Sequence, residues 1–557
     1  MTTPGGPKKK RSAKTKSAAP SEPRAAAREE RPPKRNRDWK ETLRAYGLLG
    51  LSAALMCLGF AGFGIWPLAF VGMVPALFVF DQDPPASPWA FLRRSLFFGY
   101  LAFYGGFYWV VDTIVEFGGF PYLVSLLFAS VYFLYQGFQF VVVAFLWRRA
   151  RLRGWNATAS LVAAYVGSEL AFPMLFDNFY GNSFHMLPPL IQIADLGGPM
   201  LLTALAMAGN GAAYELLRAA IRKEPLPRAV PAVFAAALAL TLGYGHWRIA
   251  EVEARMAQAD RLTLGLVQTN MGIFQKREDP EEGRRRHIEQ SLQLERESHP
   301  DLLIWPESAA TFFIPDSVRN VRRFVLESDD GEAITTPTLF GGLARREVGG
   351  RARAYNTAFM TDANGNITGS YDKTYLLAFG EYIPFGDVFP WVYDVSRNTG
   401  QFTPGNHVRA LRFRDYRIST LICYEDILPR FVRRSVREND PHLLVNVTND
   451  AWFGETQEPY VHLALAKFRA VEHHRYLVRA TNTGISAIID PTGRVTEQSP
   501  LFRRANVVGE VRMMNGWTLY QSVGDWPGWL ALGVIVYMAY AGRWRPKERK
   551  PADGEKK

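Results

Sequence analysis

The chain has 557 residues, 65 Lys and Arg against 53 Asp and Glu for a net charge of +12, and two cysteines. Two cysteines exclude a disulfide scaffold and any cysteine-built zinc or iron–sulfur centre. The basicity indicates no nucleic-acid partner, because residues 1–40 carry a net +9 and residues 543–557 a net +4, which leaves the rest close to neutral.

Residues 1–42 are rich in Lys, Arg, Ala and Pro without apolar periodicity. They read as a disordered basic tail lying against anionic lipid. The mean hydropathy of −0.09 averages two unlike halves. Residues 45–80 contain no Asp, Glu, Lys or Arg, and further uncharged runs cover 95–111, 117–147, 154–168, 196–214, 229–247 and 526–542. A membrane span takes about 20 mostly apolar residues, so the first run is long enough for two, turning near residues 62–67. The pattern predicts a multi-span α-helical membrane protein with about eight transmembrane helices. Seven lie in 43–248 and the eighth in 525–543, ahead of a second basic tail at 544–557. Arg93 and Arg94, the cluster at Arg148, Arg149, Arg151 and Arg153, the group around Arg218, Arg222, Lys223 and Arg228, and both tails all fall on one side. The loops at 117–120 and 177–189 carry no Lys or Arg. Such asymmetry predicts cytoplasmic termini and an external segment between spans seven and eight. No cleavable signal pattern is present, so the first span is read as the targeting signal. Of the acidic residues near the spans, Asp112, Glu116, Asp195 and Glu215 sit near estimated ends and read as headgroup contacts; Glu169 lies deeper. Cys57 reads as a small packed hydrophobe.

Residues 259–512 are a different kind of chain. Short β-rich runs at 262–268 (LTLGLVQ), 302–305 (LLIW), 338–341 (TLFG), 418–423 (ISTLIC), 443–447 (LLVNV) and 485–489 (ISAII) alternate with helical stretches at 281–297 and 461–475. This predicts a layered α/β domain with a sheet interior, large enough to bury its own core.

Three polar residues stand at or near strand ends: Glu307 after LLIW, Lys373 in Tyr371-Asp372-Lys373-Thr374-Tyr375, and Cys423 at the end of ISTLIC. A cysteine on a strand-to-helix turn presents its sulfur beside free backbone N–H groups. A thiol needs a base or a nearby cation to react as thiolate; a carboxylate supplies the first and an ammonium the second. The ammonium also stabilises the oxyanion of a tetrahedral acyl intermediate. Singly, each residue also fits a packed or solvated role.

The local sequences around these residues resemble the nitrilase superfamily, whose sites pair a Glu, a Lys and a Cys in that chain order. More closely, the chain resembles the bacterial apolipoprotein N-acyltransferase family. The matching stretches are Trp305-Pro306-Glu307, Tyr371-Asp372-Lys373, Phe379-Gly380-Glu381-Tyr382-Ile383-Pro384-Phe385-Gly386 and Cys423-Tyr424-Glu425, then the runs from Asn446 to Gly454 and from Arg479 to Ser486. The resemblance implies an extracytoplasmic nitrilase-like αββα sandwich on a bundle in the bacterial inner membrane. It implies Glu307 as general base, Lys373 as oxyanion holder, Cys423 as the acylated nucleophile and Glu381 as a second essential carboxylate. Tyr424 and Glu425 would flank the nucleophile and shape the pocket; Glu425 also fits a helix-start carboxylate. Ala378, Leu428 and Thr448 depart from the family's usual Pro, Phe and Ser, and the first bears on the loop after Lys373.

Eight spans suit a lipid substrate better than a soluble amide. Phe379, Tyr382, Phe385, Phe389, Trp391 and Tyr393 crowd one polar-interrupted stretch, and Trp452 and Phe453 follow later. Such aromatics serve a membrane–water interface or a core. The resemblance implies a phospholipid acyl donor, phosphatidylethanolamine in this family, and a diacylglyceryl apolipoprotein acceptor, joined by a ping-pong reaction. No metal or organic cofactor is called for, since no His/Cys ligand cluster is present and His473-His474 are adjacent. The rival readings are a membrane-bound nitrilase-type amidase or hydrolase that uses water, and a transporter whose external domain only binds.

Overall fold

Proline and glycine decide where the first apolar run breaks. The computed structural model describes residues 39–541 apart from 83–86, 379, 384–385, 387, 390, 392 and 394–398, and at 117, 273, 274 and 277 the backbone alone. Residues 1–38 and 544–557 of the predicted tails, residues 542–543 at the end of the predicted eighth span, and Phe379 and Phe385 lie outside the described residues. Met1–Leu43 forms one unit, whose described part is the opening turn of α1 (Trp39–Gly59), and Arg44–Lys557 forms the other. After α1, Gly64 turns the chain at φ +72. Pro67 opens the short 3-10 helix Trp66–Phe70 and Pro75 opens α2 (Val74–Phe80). Proline suits a helix start, where its missing N–H is not needed, so the second half of the run is two short helices rather than one.

The bundle continues with α3 (Pro88–Phe107), α4 (Trp109–Gly118), α5 (Tyr122–Arg151), α6 (Ala157–Ala171), α7 (Pro199–Arg222) and α8 (Ala229–Gln258). Among the described residues, four helices are long and apolar enough to cross a membrane: α1, α5, α7 and α8. Trp66–Phe80 and a late helix, Trp526–Ala541, are apolar but shorter. Helices α3 and α5 touch through Gly99 and Gly137, where a Cβ on Gly99 would lie 2.2 Å from the Gly137 carbonyl oxygen. Small residues let two apolar helices approach this closely. The outer faces are apolar, with Leu123, Leu127 and Val131 of α5 and Val233 and Leu240 of α8 exposed. At one end of the bundle Asp81 accepts from Tyr214 at 2.5 Å and lies 3.8 Å from both Arg151 and Arg218.

Two acidic residues depart from the headgroup expectation. Asp195 is buried, 2.9 Å from Arg248 and hydrogen-bonded to Tyr244 and His474. Glu215 accepts from the Thr158 backbone N–H and hydroxyl and from Asn156 at the start of α6. Both have protein partners that only the folded chain brings within reach.

From α8 the chain enters β1 (Arg261–Gln268). β2 (Leu302–Ile304), β3 (Ala310–Pro315), β4 (Thr338–Val348), β5 (Arg351–Thr361), β6 (Ile367–Asp372) and β13 (Ala505–Arg512) complete one sheet, in the order β13-β1-β2-β4-β5-β6 with β3 beside β4. The second sheet runs β12-β11-β10-β9-β8-β7, from β7 (Leu411–Phe413), β8 (Tyr416–Ile422), β9 (Leu443–Thr448), β10 (Tyr476–Thr481), β11 (Ala487–Ile489) and β12 (Val495–Gln498). Alternation along the strands makes the layers. Leu264, Leu266, Leu302 and Ile304 enter the core between the sheets with Leu421 and Leu443. Val267, Leu303 and Trp305 turn the other way onto Ile288 and Leu292 of α9 (Pro280–Ser298). The second sheet is covered by α10 (Pro429–Asn439) and α11 (Glu458–His473). The strands predicted from apolar runs are present as β1, β2, β4, β8, β9 and β11; β3, β5, β6, β7, β10, β12 and β13 were not expected, being short or interrupted by charged or small residues.

This domain and the bundle share one core. Ile427, Phe453, Val461 and Phe468 belong to the same buried cluster as Phe107, Trp109 and Phe184. Phe453 meets Trp109 edge-on at 5.2 Å, and Lys467 donates to the His185 carbonyl at 2.8 Å.

Candidate active site

β8 ends at Ile422, and Cys423 opens a 3-10 turn, Cys423–Ile427, with φ +55. A left-handed non-glycine residue costs about 1–3 kcal/mol, and here it turns the thiol out of the strand line at the sheet edge. Asn446 on β9 fastens the turn by donating to the Cys423 carbonyl at 2.8 Å. Glu307 follows β2 and Lys373 follows β6, so both approach from the other sheet. All three side chains are buried. Lys373 Nζ lies 2.8 Å from Glu381 Oε2, 3.5 Å from Glu307 Oε1 and 5.7 Å from the centre of the Tyr424 ring.

Burial and the neighbouring charges shift all three groups. Burial drives the Glu307 carboxyl above its ordinary range; Lys373 and Asn356 pull it down, while Glu381 adds to the rise. Burial works against a charged Lys373, and Glu381, Cys423 and Glu307 outweigh it, holding the ammonium well above its usual range. Burial, then Glu307, pushes the Cys423 thiol well up, against Lys373. The resting site is therefore a thiol beside a carboxyl of raised basicity and a fixed cation.

Asn356 on β5 organises the carboxylates, donating from Nδ2 to Glu307 Oε1 at 2.7 Å and to Glu381 Oε1 at 2.8 Å. Glu381 also accepts from the Leu377 N–H at 2.8 Å. Glu425 is a clamp. Buried, it accepts from the N–H groups of Thr374 (2.8 Å), Tyr375 (3.0 Å) and Ile422 (2.8 Å) and from the Tyr371 hydroxyl at 2.9 Å. It thus ties the segment bearing Lys373 to the turn bearing Cys423. Tyr424 adds a second tie, donating to the Leu376 carbonyl at 3.0 Å.

A pocket opens at the sulfur. Its walls are Cys423, Tyr424, Ile427, Leu377, Phe453, Glu458, Val461, His462 and Leu465 from the domain and Phe107, Trp109, Phe176 and Asn178 from the bundle. Phe453, expected at an interface or in a core, is a buried wall of this pocket. Trp452 is partly buried against the shared core. Tyr382 and Trp391 are exposed.

Sequence reasoning passed over several residues here. Asn356 had a faint signal, a polar side chain inside the apolar run of β5. Lys276 had none; it is buried beside Glu307, donates to the Ser308 carbonyl at 3.4 Å, and burial lowers it to about 7 against the pull of Glu307. Asp450, Glu458 and His462 converge as a ligand set would. Yet His462 donates from Nε2 to Asp426 at 2.8 Å and from Nδ1 to Asp450 at 3.2 Å. Burial and Arg479 oppose its charge, and the two carboxylates outweigh them, raising it to about 10. Both ring nitrogens of His462 are thus taken up by carboxylates.

The two-sheet domain brings a buried Glu, Lys and Cys together at its strand ends, and residues 263–514 match the carbon-nitrogen hydrolase family. Residues 52–212 match the apolipoprotein N-acyltransferase N-terminal domain. The chain is 34% identical over 510 residues to an apolipoprotein N-acyltransferase of Geobacter metallireducens, covering 90% of this chain and 96% of that protein. A protein of the same name from Azotobacter vinelandii is 30% identical over 521 residues, 91% and 96% of the two chains. Among solved structures, a Saccharomyces cerevisiae member of the nitrilase superfamily aligns at 15% identity and a TM-score of 0.34, covering 52% of this chain and 97% of that one. The chain belongs to the apolipoprotein N-acyltransferase family, and so to the acyltransferases within the carbon-nitrogen hydrolase superfamily.

Proposed function

We propose that this chain moves a fatty acyl group from a phospholipid, phosphatidylethanolamine as the resemblance implies, onto the α-amino group of a diacylglyceryl-cysteine at an apolipoprotein N-terminus. The wall of the Cys423 pocket carries this reading. Phe107, Trp109 and Phe176 of the bundle close it with apolar surface, which suits an acyl chain delivered from lipid and has no use for a small soluble amide.

In this mechanism Glu307 takes the Cys423 thiol proton as the sulfur attacks the ester carbonyl. The negative charge thereby passes from Glu307 to the substrate oxygen, beside Lys373, whose own charge Glu381 balances. Collapse expels the lysophospholipid alkoxide, which recovers the proton from Glu307 and leaves a thioester on Cys423. The neutral acceptor amine then attacks; Glu307 takes its proton and returns it to the departing sulfur. Tyr424, Glu425 and Glu381 hold the parts in register. Tyr382 and Trp391, with Trp452, serve as interface aromatics.

The reading includes eight spans, the catalytic domain on the periplasmic side of a bacterial inner membrane and both termini in the cytoplasm. It is supported by the one-sided Lys/Arg pattern and by the cluster of Asp81, Arg151 and Arg218 at one bundle end. To test it, the protein is incubated with labelled phospholipid and then with diacylglyceryl peptide. A label held on Cys423 and discharged only by the peptide supports the reading; rapid discharge by water would favour the amidase. A Cys423→Ala chain with full activity would sink both.

A further inference from the structure

The Cys423 pocket carries one carboxyl that the proposed mechanism does not use. Glu458 is the first residue of α11 and is 7% exposed. Its Oε1 lies 3.7 Å from His462 Nδ1, and its buried Oε2 has no hydrogen-bond partner among the described residues. The neighbouring charges already match. Asp426 and Asp450 face the His462 imidazolium, and Arg479 pairs with Asp426 and lies 3.9 Å from Asp450. Glu458 is the fifth and odd group. Burial, then Asp450, holds its carboxyl well above the ordinary range, against His462 and Arg479. Much of the remaining wall is aromatic or aliphatic, including Phe107, Trp109 and Leu465. An unpartnered carboxyl oxygen on such a wall is completed by a cationic donor from outside the protein.

We infer that Glu458 receives a primary ammonium group in the Cys423 pocket. The inference rests on the acyl-transfer reading, which supplies two such groups: the α-ammonium of the acceptor and the ethanolamine ammonium of the donor. The acceptor nitrogen must reach the thioester carbon on Cys423, so it has to enter this pocket. The protons balance. The arriving ammonium favours the ionised form of Glu458, whose proton goes to water; one N–H proton then passes to that carboxylate and frees the amine to attack. A second leaves through Glu307 to the Cys423 sulfur as the C–S bond breaks, and the third remains on the amide.

The test uses the full-length chain and its Glu458→Gln variant, with phosphatidylethanolamine and phosphatidylglycerol as labelled donors and a diacylglyceryl peptide as acceptor. An acceptor role predicts unchanged acylation by both donors and at least a tenfold rise in the peptide concentration that half-saturates thioester discharge. A headgroup role predicts a tenfold slower acylation by phosphatidylethanolamine alone. Wild-type protein gives an independent arm: an unreactive acceptor with a dimethylated, cationic α-amine should compete at least tenfold better than one with no α-amine. All rates within twofold of wild type, or equal losses with both donors, overturns the inference; equal competition by the two analogues overturns the acceptor role and leaves only the headgroup role, which the phosphatidylethanolamine arm decides. Wild type that forms no acyl-enzyme overturns the acyl-transfer reading as well, whereas a working wild type beside an unaltered variant overturns this inference alone.

Discussion

Replacing Asn356 by Ala should move the pH dependence of Cys423 acylation by an amount the geometry sets. The Asn356 side chain is buried and its Nδ2 donates to Glu307 at 2.7 Å and to Glu381 at 2.8 Å. The substitution removes both bonds but spares the backbone one, in which the Lys373 N–H donates to the residue 356 carbonyl at 2.8 Å. Burial already holds the Glu307 carboxyl above its usual range, and Asn356 is one of the groups pulling it down. Without that donor the carboxyl rises further, so the base is protonated and idle up to a higher pH. A hydrogen bond to a charged group is worth about 1.5–3 kcal/mol, and about 1.4 kcal/mol is one pH unit. The acid limb should therefore move up by about one to two units, with water entry favouring the lower figure. The measurement is single-turnover acylation by labelled phospholipid across a pH series. On the acid limb the rate falls about 10- to 100-fold, while the alkaline plateau changes little. A limb that stays in place or moves down would refute the assignment of Glu307 as the base restrained by Asn356.

Glu425→Gln turns an acceptor into a donor against the Ile422 N–H, which approaches at 2.8 Å. The clash should cost about 1–3 kcal/mol of stability and slow acylation; an unaltered melting temperature with normal acylation counts against the clamp. In Gly341→Ala the new Cβ would lie 2.6 Å from the Glu307 Cα and 2.7 Å from the Pro306 carbonyl oxygen. Displacement of the base by a few tenths of an ångström should slow acylation about tenfold or more, and a variant with wild-type rate would show that the strand gives way elsewhere. Trp109→Ala removes a pocket wall and the edge-on contact with Phe453. The expected result is a larger loss of acylation with long-chain than with short-chain donors, read from competition between the two; equal losses would place the acyl chain elsewhere.

How much of the site could be read in the chain follows from where each signal lies. Glu307, Lys373 and Cys423 each close or follow a β-rich run, and local sequence is enough to single them out. Asn356, Lys276 and Glu458 sit in a strand, a short helix and a helix start, with nothing nearby in the chain to single them out. Their importance comes from partners 25 to 49 residues away for Asn356, and across the bundle–domain boundary for the pocket that Glu458 lines. The same limit applies to Asp195, which met Arg248 and His474 instead of lipid.

The sequence by itself determined the layers and the chemistry on offer. Short β-rich runs, uncharged runs and strand-end polar residues are local properties, and each is expressed wherever the chain goes. Tertiary structure alone decided which charge balances which. The β2-β4-β5-β6 order carries Glu307, Asn356 and Lys373 to one edge, and the left-handed turn at Cys423 delivers the thiol from the other sheet. Burial and the neighbouring charges then shift Glu307, Lys373 and Cys423, because the cost of a charge depends on the neighbours that replace water. Those neighbours, distant in the chain and adjacent in space, are a property of the packed sheets and the bundle beneath them.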